Sequence, residues 1–276
     1  MFHLSRVRCL TLFSCPYRQL KTCWYGVDPD TRRRKIMKVN SLQYQHTHYA
    51  ALGSPWSAKA DRIQSATGIL LGCFLLAHLH FESSILFGKE TFYHVVQFLE
   101  GGMFSSTGHG MPIVTKVFSI FIMLVVMLHA AVALRRFPAQ LGQWRALRNH
   151  MQGIKHKDSH AWFWQLVTGF ILFFLAPVHI FTMITNPEIG PHLSAERVYH
   201  ANAWLLYALL LPAVVVHAMI GLYRVAVKWG LIRHRKGLRK AIKVLIIYLM
   251  TLGILSLISY IMIGRSLVLP ITPFVP

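Results

Sequence analysis

Two stretches of this sequence repeat a pattern that ends on histidine. Gln64-Ser65-Ala66-Thr67-Gly68 is followed after nine residues by His78, and Gln165-Leu166-Val167-Thr168-Gly169 after nine residues by His179. Two further stretches begin on histidine. His129-Ala130 and His217-Ala218 are each followed by leucine at plus five (Leu134, Leu222) and arginine at plus seven (Arg136, Arg224). A lone histidine in an apolar helix is as readily a structural hydrogen-bonding group as a functional one. Four in register ask for a shared cause. Paired imidazoles with no thiolate or second carboxylate nearby are the donor set of bis-histidine haem b. Zinc is the weaker reading, because two histidines supply half of its usual shell. The cysteines Cys9, Cys15, Cys23 and Cys73 form no C-x-x-C pair and no C-x-x-C-H, so a zinc ribbon, a thioredoxin-type site and covalent haem attachment lack support.

The elements that must carry these histidines are long and apolar. The chain has 276 residues, 54% hydrophobic and 14% charged, against roughly 25% charged in a soluble domain. Five stretches, 63–88, 112–135, 162–185, 200–227 and 241–264, reach the roughly 20 apolar residues that span a bilayer. Pro112 opens the second, Pro138 follows it, and Asn186-Pro187 and Gly230 follow the third and fourth, as helix ends require. The expected fold class is an all-α membrane protein of five transmembrane helices, the first four bundled around two stacked haems and the fifth peripheral.

The net charge of +20 would suggest nucleic acid only on a soluble fold with a basic stripe. Of the 29 Lys and Arg, 11 precede the first span, 6 lie in the second connection with its flanking Arg135, and 8 in the fourth with its flanking Arg224 and Lys243. That asymmetry predicts a cytoplasmic N-terminus and an outer C-terminus. Arg135-Arg136, Arg233–Lys236 and Arg239-Lys240 then read as topology signals and headgroup contacts. Residues 1–62 form a basic cytoplasmic segment, 63–264 the five-helix unit and 265–276 a short outer tail. Within the first segment, 1–36 mix Arg, Cys and aromatic residues, and their apolar run from Leu10 to Phe13 is too short for a signal-peptide core. They are read as an unordered leader.

Depth pairs the histidines. At 1.5 Å per residue, His78 and His179 lie about 22–26 Å from the cytoplasmic end of their helices, and His129 and His217 about 9–11 Å from theirs. Two imidazole pairs at two depths, His78 with His179 and His129 with His217, suit two haems one above the other in a four-helix bundle. Gly68 and Gly169 are read as making room for a flat cofactor, and Gly72 as helix packing. Phe170, Phe173, Phe174 and Phe181 are read as packing around it.

From Gln64 to about Gly264 the chain resembles the dihaem cytochrome b membrane subunits of fumarate reductases and succinate:quinone oxidoreductases of the five-helix, two-haem, single-anchor type. The resemblance rests on QSATGILLGCFLLAH, HAAVALRRFP, WQLVTGFILFFLAPVH with NPEIGP, and HAMIGLYRVAVKWG, in that order. It implies that His78, His129, His179 and His217 are axial ligands, and that Gln64, Ser65, Trp162 and Lys228 contact the propionates of the inner haem and Arg197 those of the outer one. By position alone Trp162 and Lys228 read as interfacial anchors. The resemblance also implies that Glu100 accepts quinol protons, although a glutamate before Gly101-Gly102 reads by itself as an exposed loop residue. It further implies a quinone substrate, more often menaquinone, an iron–sulfur subunit and a flavoprotein on the cytoplasmic face of the inner membrane, and a dimer of heterotrimers.

One position departs from the family. Some members carry a glutamate two residues before the fourth ligand on a proton path, where this chain has Val215. The expectation is that this path is missing. Glu82, one turn after His78 on the same face, reads as an acid reaching the outer interface. With no dinucleotide loop, flavin site or iron–sulfur cysteine cluster, the chain is expected to hold no dicarboxylate site and to exchange electrons with another subunit. Rival readings are the cytochrome b of a hydrogenase or formate dehydrogenase, and a haem-free anchor or transporter whose histidines only join helices.

Overall fold

A computed structural model describes residues 55–276 apart from 107, 139 and 154–156, so the leader at 1–36 and most of the basic N-terminal segment lie outside the described residues. What is described is all-helical. α1 (Pro55–Glu82) continues into a 3-10 turn (Ser83–Phe87), followed by α2 (Lys89–Leu99), α3 (Pro112–Leu134), α4 (Leu141–Gly153), α5 (Lys157–Thr185), α6 (Pro191–Tyr199), α7 (Ala203–Lys228) and α8 (Arg235–Ser266). α1, α3, α5, α7 and α8 are long and apolar enough to cross a membrane.

The helix ends follow the expected punctuation. Pro112 occupies the first turn of α3, where its missing N–H costs nothing, and Gly230 takes a φ of +67° just past α7. Several helices begin earlier than their apolar runs, because backbone hydrogen bonding extends through polar residues that a hydropathy window leaves out. The fourth span opens at Ala203 rather than 200. His200 to Asn202 separate α7 from the short helix α6, and Asn202 sits in the left-handed region at φ +57°, which asparagine tolerates better than most residues. The connecting helices α2, α4 and α6 were not expected. α2 buries Phe92 and Val96 one turn apart, a signal too short to stand out beside the long apolar runs.

α1 packs on α3, α3 on α5, α5 on α7 and α7 back on α1, closing a four-helix ring, with α8 outside it against α7, α6 and the 3-10 turn. α8 buries Leu249, Gly253, Ser256, Tyr260 and Gly264 along one face. A Cβ on Gly253 would stand 2.6 Å from Leu211 Cδ1, and one on Gly264 2.6 Å from the Ala195 carbonyl oxygen, so the helices meet through small residues as membrane helices do. Leu75, Leu79, Val215, Met219 and Leu249 form one core cluster, and Ile85, Phe92, Val96, Ala195, Val198 and Tyr260 another.

On α5, Phe170, Phe173 and Phe174 border the cavity that the ring encloses, whereas Phe181 is 61% exposed and lies outside that lining, which corrects the expectation for this one residue. Lipid is as apolar as a core, so an outward aromatic residue in a membrane helix carries no signal of its side.

Candidate functional site

Inside the ring lies a cavity of about 1240 Å³ whose wall includes all four repeat histidines. That is larger than the roughly 300–1,000 Å³ of an ordinary small-molecule site. The rings of His78 and His179 are 6.1 Å apart between centroids, and those of His129 and His217 6.4 Å. Both pairings are those that helical depth required. Each joins corresponding helices of the two repeats, α1 with α5 and α3 with α7.

The residues fit haem b. Metal–nitrogen bonds of about 2 Å and a ring radius of about 1.1 Å put two trans imidazoles about 6 Å apart between centroids. His179 Nδ1 is buried with no hydrogen-bond partner among the described residues, so packing rather than a bond at this nitrogen orients the ring. Phe74 stacks on His78 at 5.3 Å and 17°, and Tyr207 meets His179 edge-on at 5.5 Å, so both rings are held in place. No three His, Cys, Asp or Glu side chains gather among the described residues, which leaves paired histidines as the donor sets.

The glycines of the repeat serve the imidazoles. A Cβ on Gly68 would lie 3.3 Å from His129 Cε1, and one on Gly169 2.9 Å from His217 Cε1. Room expected for a cofactor is room for the ring. Gly72 faces Leu222, 3.0 Å from where its Cβ would be, and is helix packing as expected.

The other expected residues border the same cavity: Gln64, Ser65, Trp162 and Lys228 with the His129–His217 pair, and Arg197 toward the opposite end. Arg197 is held by carbonyls, donating to Glu188 at 2.8 Å and Asn186 at 3.3 Å. Lys228 donates to Asp61 at 3.2 Å, and Ser65 to the Asp61 carbonyl at 2.9 Å. Asp61 also pairs with Arg135 and Arg136. Two arginines read as topology signals and headgroup contacts thus tie the ends of α1, α3 and α7 around one carboxylate. Arg224, seven residues after its histidine like Arg136, donates to Gln165 Oε1 at 2.5 Å and lies on the cavity wall with Arg136.

Glu100 is not an exposed loop residue. It is 5% exposed, borders the cavity and accepts a hydrogen bond from Thr115 Oγ1 at 2.8 Å. Gly110 lies against it so closely that a Cβ there would be 2.8 Å from Oε2. Gln97 accepts from the Gly110 amide, pinning that loop. Burial raises the Glu100 pKa, the Thr115 bond opposes the rise and Glu188 adds to it. Glu82 also differs from expectation. Its carboxylate turns inward and accepts from the Tyr260 hydroxyl at 3.0 Å, because α8 presents that hydroxyl from a buried face. Sequence reasoning missed Tyr260 and Thr115, whose partners lie far along the chain or across a loop.

The family of succinate dehydrogenase/fumarate reductase transmembrane subunits matches residues 142–256. The chain is 43% identical over 210 residues to the fumarate reductase cytochrome b subunit of Helicobacter pylori (strain ATCC 700392 / 26695), covering 75% of this chain and 82% of the relative. The corresponding subunit of strain J99 is 42% identical over the same length and shares. That of Wolinella succinogenes is 37% identical over 214 residues, 75% of this chain and 83% of the relative.

Proposed function

This chain belongs to the fumarate reductase cytochrome b subunits, and we propose that it is the quinone-reactive dihaem anchor of such a complex, exchanging electrons between membrane quinol and an iron–sulfur subunit. The observation that carries this reading is the pair of ring separations, 6.1 and 6.4 Å, inside one cavity. His78 with His179 would hold one haem b and His129 with His217 the other. Bound there, the two haems would supply one-electron carriage through the bilayer.

The chain's own residues do the rest. Gln64, Ser65, Trp162 and Lys228 at one end and Arg197 at the other offer hydrogen bonds and positive charge to propionates, whose burial would otherwise be costly. A quinol gives up two protons with its two electrons, and a buried carboxylate on the cavity wall can take one of them. Glu100 is that carboxylate. Thr115 holds its Oε1, which fixes the carboxylate at the edge of the cavity.

The partners follow from what the chain does not carry. Its sequence carries no dinucleotide-binding loop and no iron–sulfur cysteine motif, which supports an iron–sulfur subunit and a flavoprotein as the holders of the dicarboxylate chemistry. The basic connections support docking of these partners on the cytoplasmic face of the inner membrane, with electrostatic steering that weakens as salt rises. Menaquinone is the proposed quinone, and a dimer of heterotrimers the proposed assembly.

The test is haem content. A dithionite-reduced minus oxidised spectrum of the purified complex, with extracted haem counted per polypeptide, is expected to give two low-spin b haems. One haem would refute one of the pairs, and none would return the histidines to helix packing.

A further inference from the structure

The threonine of each Gln-x-x-Thr-Gly unit lies against the histidine of the neighbouring span. Thr67 Oγ1 donates to the Ile63 carbonyl at 2.7 Å and lies 2.9 Å from His129 Nδ1. A hydroxyl has one proton. With that proton on Ile63 O, a lone pair of Thr67 faces the ring, and Nδ1–H of His129 is the donor. In the second unit Thr168 Oγ1 donates to the Trp164 carbonyl at 2.7 Å. There His217 Nδ1 donates to the Gln165 carbonyl at 3.0 Å, with Thr168 Oγ1 3.4 Å away. A carbonyl cannot donate, so His217 carries its proton on Nδ1. The same tautomer then holds in both rings and leaves each Nε2 with its lone pair. The glycine after each threonine gives the ring edge its space.

We infer that Thr67 and Thr168 are positioning residues that set the tautomer and orientation of His129 and His217 and raise the basicity of their Nε2 atoms. The inference rests on these histidines being haem ligands. Acceptors for the second ring N–H are the usual means by which a protein orients and tunes a metal-bound imidazole. The other pair is furnished differently, since His179 Nδ1 has no partner among the described residues. The chain therefore builds two unequal pockets from one repeat. A more basic ligand favours the oxidised metal, so the threonine contacts hold the potential of their haem down.

The experiment is a dye-mediated redox titration of the b-haem absorption in the intact membrane complex, with haem counted per polypeptide in each sample. Thr67→Val is expected to keep two haems and shift one midpoint potential upward. Thr67→Ser, which keeps the hydroxyl, is expected to restore it. Thr168→Val is expected to give a smaller upward shift, because the Gln165 carbonyl still accepts from His217. Two haems with unchanged potentials in Thr67→Val would overturn the inference and leave the ligand assignment standing. Equal shifts in Thr67→Val and Thr67→Ser would overturn it in favour of methyl packing. If Thr67→Val does not load haem, loading in Thr67→Ser supports the hydroxyl role and failure in both refutes it. Fewer than two haems in the wild-type complex would overturn the ligand reading itself.

Discussion

Thr115 Oγ1, in the first turn of α3, donates to Oε1 of Glu100, fifteen residues earlier at the end of α2, across 2.8 Å. The bond turns a loop carboxylate into a fixed part of the cavity wall. It also sets the protonation behaviour of that group, because burial raises the Glu100 pKa above its ordinary 4.5 while Thr115 pulls it down.

In the proposed role Glu100 must be ionised to accept a quinol proton, so the rate of quinol oxidation is expected to fall as pH drops through the raised pKa. Thr115→Val removes the opposing contribution, and the acid limb of the pH–rate profile moves to higher pH. Glu100→Gln abolishes the limb and lowers quinol oxidation by about 10²–10⁴-fold, the usual contribution of a general base. Haem content stays unchanged. Steady-state rates with a water-soluble quinol across pH, beside haem counts, check all three.

Replacing one histidine of a pair is expected to remove one haem. His129→Ala and His78→Ala should each leave about one haem per polypeptide in the isolated complex, as single loss of an axial ligand requires. The spectrum of the haem that remains should differ between the two variants.

Asp61 faces Arg135, Arg136 and Lys228, and Asp61→Asn leaves three like charges together. Partly exposed pairs contribute only about 0.2–1 kcal/mol each. A loss of about 1 kcal/mol lowers the thermal midpoint by roughly 2–4 °C. The difference should shrink in high salt, and thermal denaturation in detergent at two ionic strengths measures it.

The two glycines of α8 predict unequal costs. At Gly253 an added methyl meets the end of Leu211, which can turn aside, whereas at Gly264 it meets the Ala195 carbonyl and Tyr199 Cβ at 2.6 and 2.5 Å. Gly264→Ala is expected to destabilise by about 1–3 kcal/mol, the range for overpacking. Gly253→Ala should cost less, and parallel denaturation curves would order them.

Val215 is fully buried in an apolar cluster with Leu75, Leu79, Met219 and Leu249. No side chain of that cluster can carry a proton past the middle of the bundle. Quinol oxidation coupled to fumarate reduction is therefore expected to build a potential, negative on the basic side. A voltage-sensitive dye in proteoliposomes reads it, and turnover without a potential would overturn the expectation.

The histidine pairing was legible in the sequence because helical rise is constant and lysines and arginines mark one membrane face. Four residues could thus be assigned to two depths by counting. The position of Glu100 in the cavity wall was not, because its burial depends on Gly110 closing against it and on Thr115 arriving from the next helix. The inward turn of Glu82 depends on Tyr260, carried by a helix whose sequence shows no acid and no histidine. Arg135 and Arg136 were legible as cations near a membrane face, but their meeting with Asp61 is a tertiary fact. Phe181 could not be told from Phe170, Phe173 and Phe174, which border the cavity, for a solvent reason: burial in protein and burial in lipid select the same side chains.

Each histidine pair takes one ring from each repeat, α1 with α5 and α3 with α7. Neither half of the chain closes a pocket alone, so the protein behaves as two subunits joined by a covalent tether. Synthesis runs from one end, which imposes an order on assembly. The pocket of His78 waits for His179 on α5, and the pocket of His129 stays half-built until α7 emerges with His217. The site nearest the basic face is consequently the last that the growing chain can complete.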